Sequence, residues 1–217
     1  MCENPQGKTR ANSATKNPMN HATPLLSILI ASVPDRLPQL AELIAKLSAQ
    51  IAAISPPPLV EILAFTDNKF RTIGEKRQAL VDISTGTHVA AIDDDDDIAD
   101  TYIADITSAL RSDPDVVTFN QLATLVGQGV AIVSFDLRHE FDEQWQPSET
   151  IRRRPWHPCA WRRSIADQCK FSFKNYGEDA DWVNQANYLA RTQVHIPKIL
   201  HHYRWDPQTT AAPAPTK

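Results

Sequence analysis

The first half of the chain alternates short apolar runs with amphipathic segments, and this alternation restricts the possible folds more than any other feature. Residues 25–32 form a nearly continuous apolar run closed by Pro34, which is typical of a strand covered on both faces. Over residues 37–54, leucine and isoleucine recur at three- and four-residue steps. This spacing predicts a helix with one apolar stripe, and three prolines at 56–58 end it.

The same order of elements repeats before residue 112. Strands are predicted at 59–66 and 87–92, and helices at 73–82 and 100–111. Such an order is the pattern of right-handed strand–helix–strand units that feed a parallel sheet, with a ligand crevice outside the carboxyl ends of the strands. The sequence therefore predicts an α/β fold.

Beyond residue 115 the pattern is less regular. Strands are predicted at 116–121, 130–134 and 199–203, and helices at 159–167 and 178–191. These elements are expected to extend the sheet as a mixed one and to build the acceptor side of the crevice. One folded domain is expected over residues 24–206, between flexible tails at 1–23 and 207–217.

Charge and composition exclude several classes of partner. The 217 residues carry a formal net charge of -4, so the chain as a whole has no field that draws it onto nucleic acid or an anionic membrane. No run approaches the ~20 consecutive apolar residues of a membrane-spanning helix, so no membrane insertion is expected. Three cysteines without a CxxC pair fit a reducing compartment. These observations predict a soluble, cytoplasmic protein.

Five consecutive aspartates, Asp93 to Asp97, directly follow the third predicted strand. Their mutual repulsion makes full ionisation costly unless a cation is bound. In an extended backbone alternate side chains share a face, so Asp93 and Asp95 are expected to point together into the crevice. Two carboxylates suit Mg²⁺ or Mn²⁺, which completes its octahedron with water and substrate phosphates. The alternative is a solvated acidic loop without a ligand.

The strand that ends in Asp-x-Asp-Asp, followed by Asp100-Thr-Tyr-Ile103, resembles the DXD motif of glycosyltransferase family 2. The opening strand at 27–36 and the segment Gly74-Glu-Lys-Arg77 are similar to family segments in the same order. The resemblance implies the GT-A fold, a Rossmann-like nucleotide-diphospho-sugar transferase domain with a mixed, mainly parallel central sheet. It also implies a transferase that uses a UDP- or GDP-linked sugar donor, with Mn²⁺ or Mg²⁺ as cofactor.

The resemblance also assigns donor and metal residues. Family members carry an acidic residue that contacts the nucleotide base where Asp67 closes the second strand, and many GT-A enzymes complete the metal shell with a late histidine. The metal ligands so implied are Asp93 and Asp95 with His201 or His202, although a histidine at a strand end is more often structural. The residues assigned to nucleotide-sugar binding are Ser32, Asp35, Arg36, Asp67, Lys76, Arg77, Asp93, Asp94, Trp156 and Arg162.

Glu178 and Asp179 lie at the start of the last long predicted helix and are similar to the Glu-Asp motif that holds the family's catalytic base. We identify Asp179 as that base, because an acceptor hydroxyl attacks an anomeric carbon well only if a nearby carboxylate takes its proton. The resemblance implies inversion at that carbon. The alternative is helix capping, since the helix dipole stabilises acidic residues in a first turn by ~0.3–1 kcal/mol.

Residues 152–163 concentrate arginine and tryptophan between the aspartate run and the Glu-Asp motif. Because tryptophan stacks on sugars and arginine pairs with phosphates, one interpretation is a loop that closes over the donor. Contact with the phosphates of a nucleic-acid acceptor is a second interpretation, and a solvated basic face is a third.

These motifs are compatible with more than one class of acceptor. Segments 156–163 and 176–182 look like phage-encoded members of the family, some of which glycosylate modified DNA bases; a glycan or protein hydroxyl is the other candidate. Two further classes stay open. One is a nucleotidyltransferase of related fold, although residues 31–36 lack the glycines of a phosphate loop. The other is a non-catalytic module that binds metal or sugar nucleotide.

Overall fold

The structure is a computed structural model that describes residues 22–206. The predicted tails lie almost entirely outside the described residues. The strands are β1 Leu26–Ser32, β2 Val60–Thr66, β3 His88–Ala91, β4 Asp97–Ile98, β5 Val116–Leu125, β6 Gly129–Phe135, β7 Thr150–Arg153, β8 Ala160–Arg162 and β9 Gln193–Trp205. The helices are α1 Leu37–Ala53, α2 Ile73–Ile83, α3 Tyr102–Leu110, α4 Arg163–Ala166 and α5 Glu178–Leu189, and a 3-10 turn, Pro34–Arg36, precedes α1.

A mixed sheet of nine strands forms the centre of residues 22–206. β1 lies between β2 and β3, and all three run parallel, so their carboxyl ends meet at one edge. β8 joins β3 to β5 in antiparallel pairing, and β5 also pairs with parallel β9 and antiparallel β6. β7 runs parallel to β6, and the short β4 pairs with β9. Most paired residues lie in parallel ladders, which confirms the predicted mixed, mainly parallel sheet.

Helices α1 and α2 cover opposite faces of the parallel strands. The chain crosses from β1 to β2 in one direction and from β2 to β3 in the other, so two right-handed crossovers place their helices on opposite faces. The apolar stripe of α1 is buried at Leu40, Leu43 and Leu47. α3 packs against α1, and α5 packs against α2. Because both faces are covered, β1 is buried almost throughout, as its continuous apolar run predicts.

The second half of the chain departs from the prediction in three places. The helix predicted at 159–167 is the short strand β8 followed by the one-turn helix α4. β7 lies in the arginine-rich segment, where no strand is predicted. The last strand, predicted at 199–203, spans 13 residues because it pairs along the whole of β5. In all three places pairing with distant strands decides the structure, and the local pattern does not.

The N-terminus of α2 is fixed by a capping box and by a close backbone contact. Thr72 Oγ1 accepts a hydrogen bond from Glu75 N–H at 3.2 Å, and Glu75 Oε2 accepts one from Thr72 N–H at 2.8 Å. Gly74 N–H donates to Lys174 O at 3.2 Å, and a Cβ on Gly74 would lie 1.9 Å from Ser172 O. Only glycine fits there, so the segment that leads into α5 packs directly on the backbone of α2.

Gly74→Ala is expected to lower the free energy of unfolding by about 1–3 kcal/mol, because the added methyl group meets a backbone oxygen that moves only with its whole segment. Chemical denaturation measures the loss. Gly127→Asn is the matched control: a Cβ on Gly127 meets nothing within 4 Å, and asparagine tolerates the φ of 81° found there. Equal losses in the two variants would contradict the close packing of α2 on residue 172.

Two further properties concern membranes and thiols. Among the helices of residues 22–206, none is both long enough and apolar enough to cross a membrane. Cys159 and Cys169 are buried free thiols. Burial raises the pKa of Cys159 to about 12 and the pKa of Cys169 to about 11. Both thiols therefore act as small apolar core groups rather than as nucleophiles.

Candidate active site

The aspartate run lies at the carboxyl end of β3, beside the ends of β1 and β2. Its backbone forms a turn in which Asp96 N–H donates to Asp93 O at 3.2 Å, so the extended backbone predicted here is wrong. The side chains nevertheless alternate in exposure. Those of Asp94 and Asp96 are 3% and 2% exposed, whereas those of Asp93 and Asp95 are 30% exposed each. The two carboxylates predicted to bind a cation therefore both reach solvent.

Asp94 fixes this turn to the loop that follows β1. Its Oδ2 accepts a hydrogen bond from Ser32 Oγ at 2.7 Å, and its Oδ1 accepts one from Arg36 Nη1 at 2.9 Å. The same arginine nitrogen lies 3.0 Å from Oδ2 of Asp95. Ser32, Arg36 and Asp94, all predicted to bind the nucleotide-sugar, are thus brought together. Asp94 itself is enclosed by its protein partners.

Arg77 lies between two carboxylates from distant parts of the chain. Its Nη2 is 2.5 Å from Oδ1 of Asp93, and its Nη1 is 2.9 Å from Oε1 of Glu178. The side chains of Arg77 and Glu178 are 6% and 5% exposed. Burial by itself would raise the pKa of Asp93, but Arg77, His157 and His201 together outweigh burial and the pKa is lowered. In Glu178 burial prevails over Arg77, and the pKa is raised. Arg77 therefore ties the start of α5 to the aspartate run.

The predicted repulsion between neighbouring carboxylates appears in the raised pKa values of Asp95 and Asp96. Burial, with the neighbouring aspartates adding to it and Arg36 opposing it, raises the pKa of Asp95 to about 6. Burial also raises the pKa of Asp96, whose Oδ2 lies 3.1 Å from Nε2 of His201. A bound cation would relieve this repulsion at Asp95.

His201 and His202 are adjacent residues of β9, so their side chains point to opposite sides of the strand. His201 is buried, with Nδ1 3.1 Å from Oε1 of Gln121 and Nε2 facing Asp96, so both ring nitrogens have protein partners. His202 is 42% exposed, and its Nδ1 lies 3.9 Å from Oδ2 of Asp97. This geometry favours a structural role for His201 over the predicted metal ligation, whereas ligation by His202 stays a prediction.

A divalent ion fits the aspartate turn when a substrate completes its shell. Within residues 22–206, no three His, Cys, Asp or Glu side chains are arranged to hold a metal by themselves. Arg77 contacts Oδ1 of Asp93 and Arg36 contacts Oδ2 of Asp95, so the second oxygen of each carboxylate is the one that can take a ligand. Two carboxylate oxygens with water and substrate phosphates form a typical Mg²⁺ shell. The donor set therefore fits the predicted cofactor.

Lys76 occupies the space between the ends of β1 and β2. Its Nζ donates to Ser32 O at 2.7 Å and lies 3.2 Å from Oδ1 of Asp67. The side chains of Lys76 and Asp67 are 3% and 9% exposed, so this ion pair is nearly closed to solvent. Asp35, by contrast, is 83% exposed and lies 3.6 Å from Lys69 Nζ. Asp67 and Lys76 thus lie at the predicted edge of the sheet, whereas Asp35 lies on its outer rim.

Asp179 lies in the first turn of α5 and faces the aspartate turn. Its Oδ2 accepts a hydrogen bond from Trp156 Nε1 at 3.2 Å and lies 3.7 Å from Nε2 of His157. Its side chain is 25% exposed. The charge of Asp179 acts on both Arg77 and His157, and the charge of Asp93 acts on the same two groups. The predicted base and the predicted metal ligand therefore share one electrostatic cluster.

The arginines of residues 152–163 do not form one cationic surface. All five pair with acids: Arg152 with Glu143, Arg153 and Arg154 with Asp142, Arg162 with Asp113 and Asp115, and Arg163 with Asp167. Arg153 lies over the ring of Trp156, 4.7 Å from its centroid. Trp156 therefore stacks on an arginine and directs its N–H to Asp179. This arrangement favours an acid-paired surface over the predicted loop that closes on a donor.

Arg162 is not brought to the site. It lies at the end of β8 that pairs with His88, at the start of β3 and opposite the edge that holds the aspartates. Its Nε lies 3.0 Å from Oδ1 of Asp115, and its Nη1 lies 2.6 Å from Oδ2 of Asp113. The prediction that Arg162 binds the nucleotide-sugar is wrong, because the antiparallel β8 carries the chain away from the carboxyl ends of the parallel strands.

Three members of the cluster are not among the predicted site residues. Gln121 lies on β5 and Tyr203 lies on β9. Tyr203 is two residues after His201, so the two side chains lie on the same face of β9. Burial, with the charges of Asp96 and Asp93 adding to it, raises the pKa of Tyr203. In the sequence, His157 belongs to the arginine- and tryptophan-rich segment 152–163 and is not singled out by a motif of its own. Its position between Pro155 and Pro158 is the one local signal of a fixed backbone there.

The parallel β2–β1–β3 unit, with its acidic turn and the carboxylate at the start of α5, belongs to the GT-A type of α/β fold, as the resemblance implies. Among solved structures, S. aureus TarS 1-349 in complex with UDP-GlcNAc matches with a TM-score of 0.60 and 13% identity, over 87% of this chain and 61% of that chain. The same protein in complex with UDP matches with a TM-score of 0.58 and 12% identity, over 84% and 61% of the two chains.

Among curated proteins, the chain is similar to "Putative glycosyltransferase EpsH" of Bacillus subtilis (strain 168). The two are 26% identical over an alignment 174 positions long, and the match covers 70% of this chain and 49% of the relative. The chain therefore spans about half the length of that relative. No family model matches the chain. The two comparisons confirm the resemblance to glycosyltransferases.

Proposed function

We propose that this chain is a metal-dependent glycosyltransferase that moves a sugar from a nucleoside-diphosphate sugar to an acceptor hydroxyl, with inversion of the anomeric configuration. One observation carries the proposal. Asp93 and Asp95, each 30% exposed, follow β3 at the carboxyl edge of the parallel strands, and their charges act on Tyr203 together with the charge of Asp179. The similarity to EpsH and to the fold of TarS supports the reaction class.

The donor that we favour is linked to UDP. The solved structures of TarS, which shares the fold, include complexes with UDP-GlcNAc and with UDP. In this chain Asp67 directly follows β2 and pairs with Lys76, and we assign the nucleotide base to this edge of the sheet. A GDP-linked donor is the alternative that the test below includes.

The cation would be held by Asp93 and Asp95. When bound, it would neutralise the charge that develops on the departing diphosphate. The contribution of the protein is to hold the two carboxylates in place: Arg77 restrains Asp93 at 2.5 Å, and Arg36 restrains Asp95 at 3.0 Å while it also binds Asp94.

Asp179 takes the proton of the acceptor hydroxyl as the oxygen attacks the anomeric carbon. The carboxylate is oriented by the indole N–H of Trp156, and its 25% exposure leaves it open to an acceptor. Attack in line with the departing diphosphate places the new bond on the opposite face of the sugar, which is inversion. The acceptor hydroxyl belongs to a glycan, a protein or a modified DNA base.

UDP with Mn²⁺ is expected to raise the free energy of unfolding by about 2.7 kcal/mol at a hundredfold excess over the Kd. The reason is that the ligand binds only the folded chain, where the aspartates are assembled. A thermal-shift series with UDP, GDP and UDP-GlcNAc, each with Mn²⁺, with Mg²⁺ and without metal, identifies the base and the cation. Release of nucleoside diphosphate in the presence of each of the three acceptor classes measures transfer.

The double variant Asp93→Asn/Asp95→Asn is expected to remove the metal-dependent part of this stabilisation. Asp100→Asn is the matched control, because Asp100 lies shortly after the run, beyond Ile98 and Ala99, and its side chain is 96% exposed. A chain that gains no stability from any nucleoside diphosphate with either ion, and releases none from any donor, would refute the proposed function.

A further inference from the structure

His157 is anchored at both its backbone and its ring. Ala91 N–H donates to His157 O at 3.1 Å, and Nδ1 of the ring lies 3.1 Å from Ala91 O. Ala91 is the last residue of β3, so the ring is fixed to the strand that carries the aspartate run. His157 also stands between Pro155 and Pro158, which restrict the backbone on both sides. The side chain is 8% exposed.

This anchoring determines where the ring carries its proton. A carbonyl oxygen only accepts hydrogen bonds, so Nδ1 must be the donor to Ala91 O. In the neutral ring Nε2 is then without a proton and presents a lone pair. That lone pair faces Oδ2 of Asp179 at 3.7 Å. Two acceptors face each other there, and one proton between them would satisfy both.

The groups around the ring keep it neutral until a proton arrives. Burial lowers the pKa of His157, and the positive charge of Arg77 lowers it further, whereas the charges of Asp93 and Asp179 oppose both effects. Arg77 is itself held between Asp93 and Glu178. The resting site therefore contains a neutral imidazole with an open lone pair directly behind the carboxylate identified as the base.

We propose that Asp179 and His157 act together as the base, so that the proton taken from the acceptor is finally shared between Oδ2 of Asp179 and Nε2 of His157. This inference rests on the proposed glycosyltransferase function. The acceptor O–H bond breaks as the oxygen bonds to the anomeric carbon, and the bond from that carbon to the diphosphate breaks with its electron pair leaving on the phosphate. The proton passes to Asp179 and then toward Nε2, and it returns to water through Asp179.

Such a pair has a consequence for the reaction. A protonated carboxyl group that remains beside the new glycosidic oxygen favours return of the proton, whereas transfer toward the imidazole restores the carboxylate. Each carboxylate oxygen has two lone pairs, so Oδ2 can keep the hydrogen bond from Trp156 at 3.2 Å while it shares the proton with His157.

His157→Asn tests the pair because an asparagine amide nitrogen takes the place of Nδ1 and can still donate to Ala91 O, while nothing replaces Nε2. The variant is expected to lower kcat by roughly tenfold to a hundredfold with the KM for the donor unchanged, and to lose the solvent deuterium isotope effect on kcat. His157→Gln places a permanent donor near Nε2 that cannot take a proton, and the same loss is expected. A kcat within about twofold of the unmodified chain in either variant overturns the pair.

A second measurement needs neither a variant nor activity. Nitrogen-15 NMR of the imidazole rings of the full chain is expected to show His157 protonated at Nδ1 and unprotonated at Nε2, with the Nε2 resonance shifted in Asp179→Asn. A ring protonated at Nε2 overturns the inference. Transfer by the unmodified chain is measured first, so a failure of the proposed function is seen separately from a failure of the pair.

Discussion

Asp179→Asn is expected to lower kcat for glycosyl transfer by about 10²–10⁴-fold, which is the range that a positioned general base contributes. An amide cannot take the proton of the attacking hydroxyl, but it can still accept the hydrogen bond from Trp156, so the start of α5 keeps its place. The KM for the donor and the stabilisation by UDP with Mn²⁺ should stay unchanged, because Asp93 and Asp95 are untouched. Steady-state kinetics with a saturating acceptor measure the effect.

The matched control is Asp181→Asn, in the same first turn of α5. Asp181 faces away from the cluster: its Oδ2 accepts from Ser172 Oγ at 2.6 Å and lies 2.7 Å from Lys174 Nζ. Both substitutions remove one negative charge from the helix N-terminus, so both remove the same favourable interaction with the helix dipole. If the two variants lose activity equally, or if Asp179→Asn changes only stability, Asp179 is a helix-capping residue and the assignment of the base fails.

The parallel half of the fold could be predicted from the sequence because its signals are local. The apolar run of β1, the stripe of α1 and the capping residues of α2 each specify an element within a few residues. Apart from the two-residue β4, which is not predicted, the strands and α-helices from β1 to α3 begin and end within two residues of the predicted positions. β8 could not be predicted in this way. Its three residues form a strand only because β3 and β5 lie on either side of it.

The candidate site also has one part that could be predicted from the sequence and one part that could not. The alternation of exposed and buried aspartates follows from the spacing of the run, even though the backbone turns where an extended segment is expected. The partners of those aspartates do not follow from spacing. Arg77 on α2 contacts Glu178 on α5, and the ring of His157 contacts Ala91, which lies 66 residues earlier in the sequence. Pairings of this kind depend on the packed structure, because any of the chain's arginines could neutralise a carboxylate on charge alone.

Arg77→Met is expected to lower the free energy of unfolding by about 3–5 kcal/mol, the cost of breaking a buried ion pair by removing one partner. The loss arises because Glu178, 5% exposed, and Asp93 are left without the guanidinium that lies 2.9 Å and 2.5 Å from them. The matched control is Arg152→Met, since Arg152 also pairs with a glutamate at 2.7 Å but is 65% exposed. Its loss should be much smaller, because water solvates the charge that remains.

A second substitution separates the charge of Arg77 from its packing. Adding Glu178→Gln to Arg77→Met removes one of the two stranded carboxylates, so the double variant should be more stable than Arg77→Met alone. Urea denaturation of the unmodified chain, the two single variants and the double variant measures the coupling. If Arg77→Met and Arg152→Met lose the same stability, or if Glu178→Gln deepens the loss, then Arg77 does not hold α5 to the aspartate turn through its charge. A restored stability would instead show that Arg77 holds α5 to the aspartate turn through its charge.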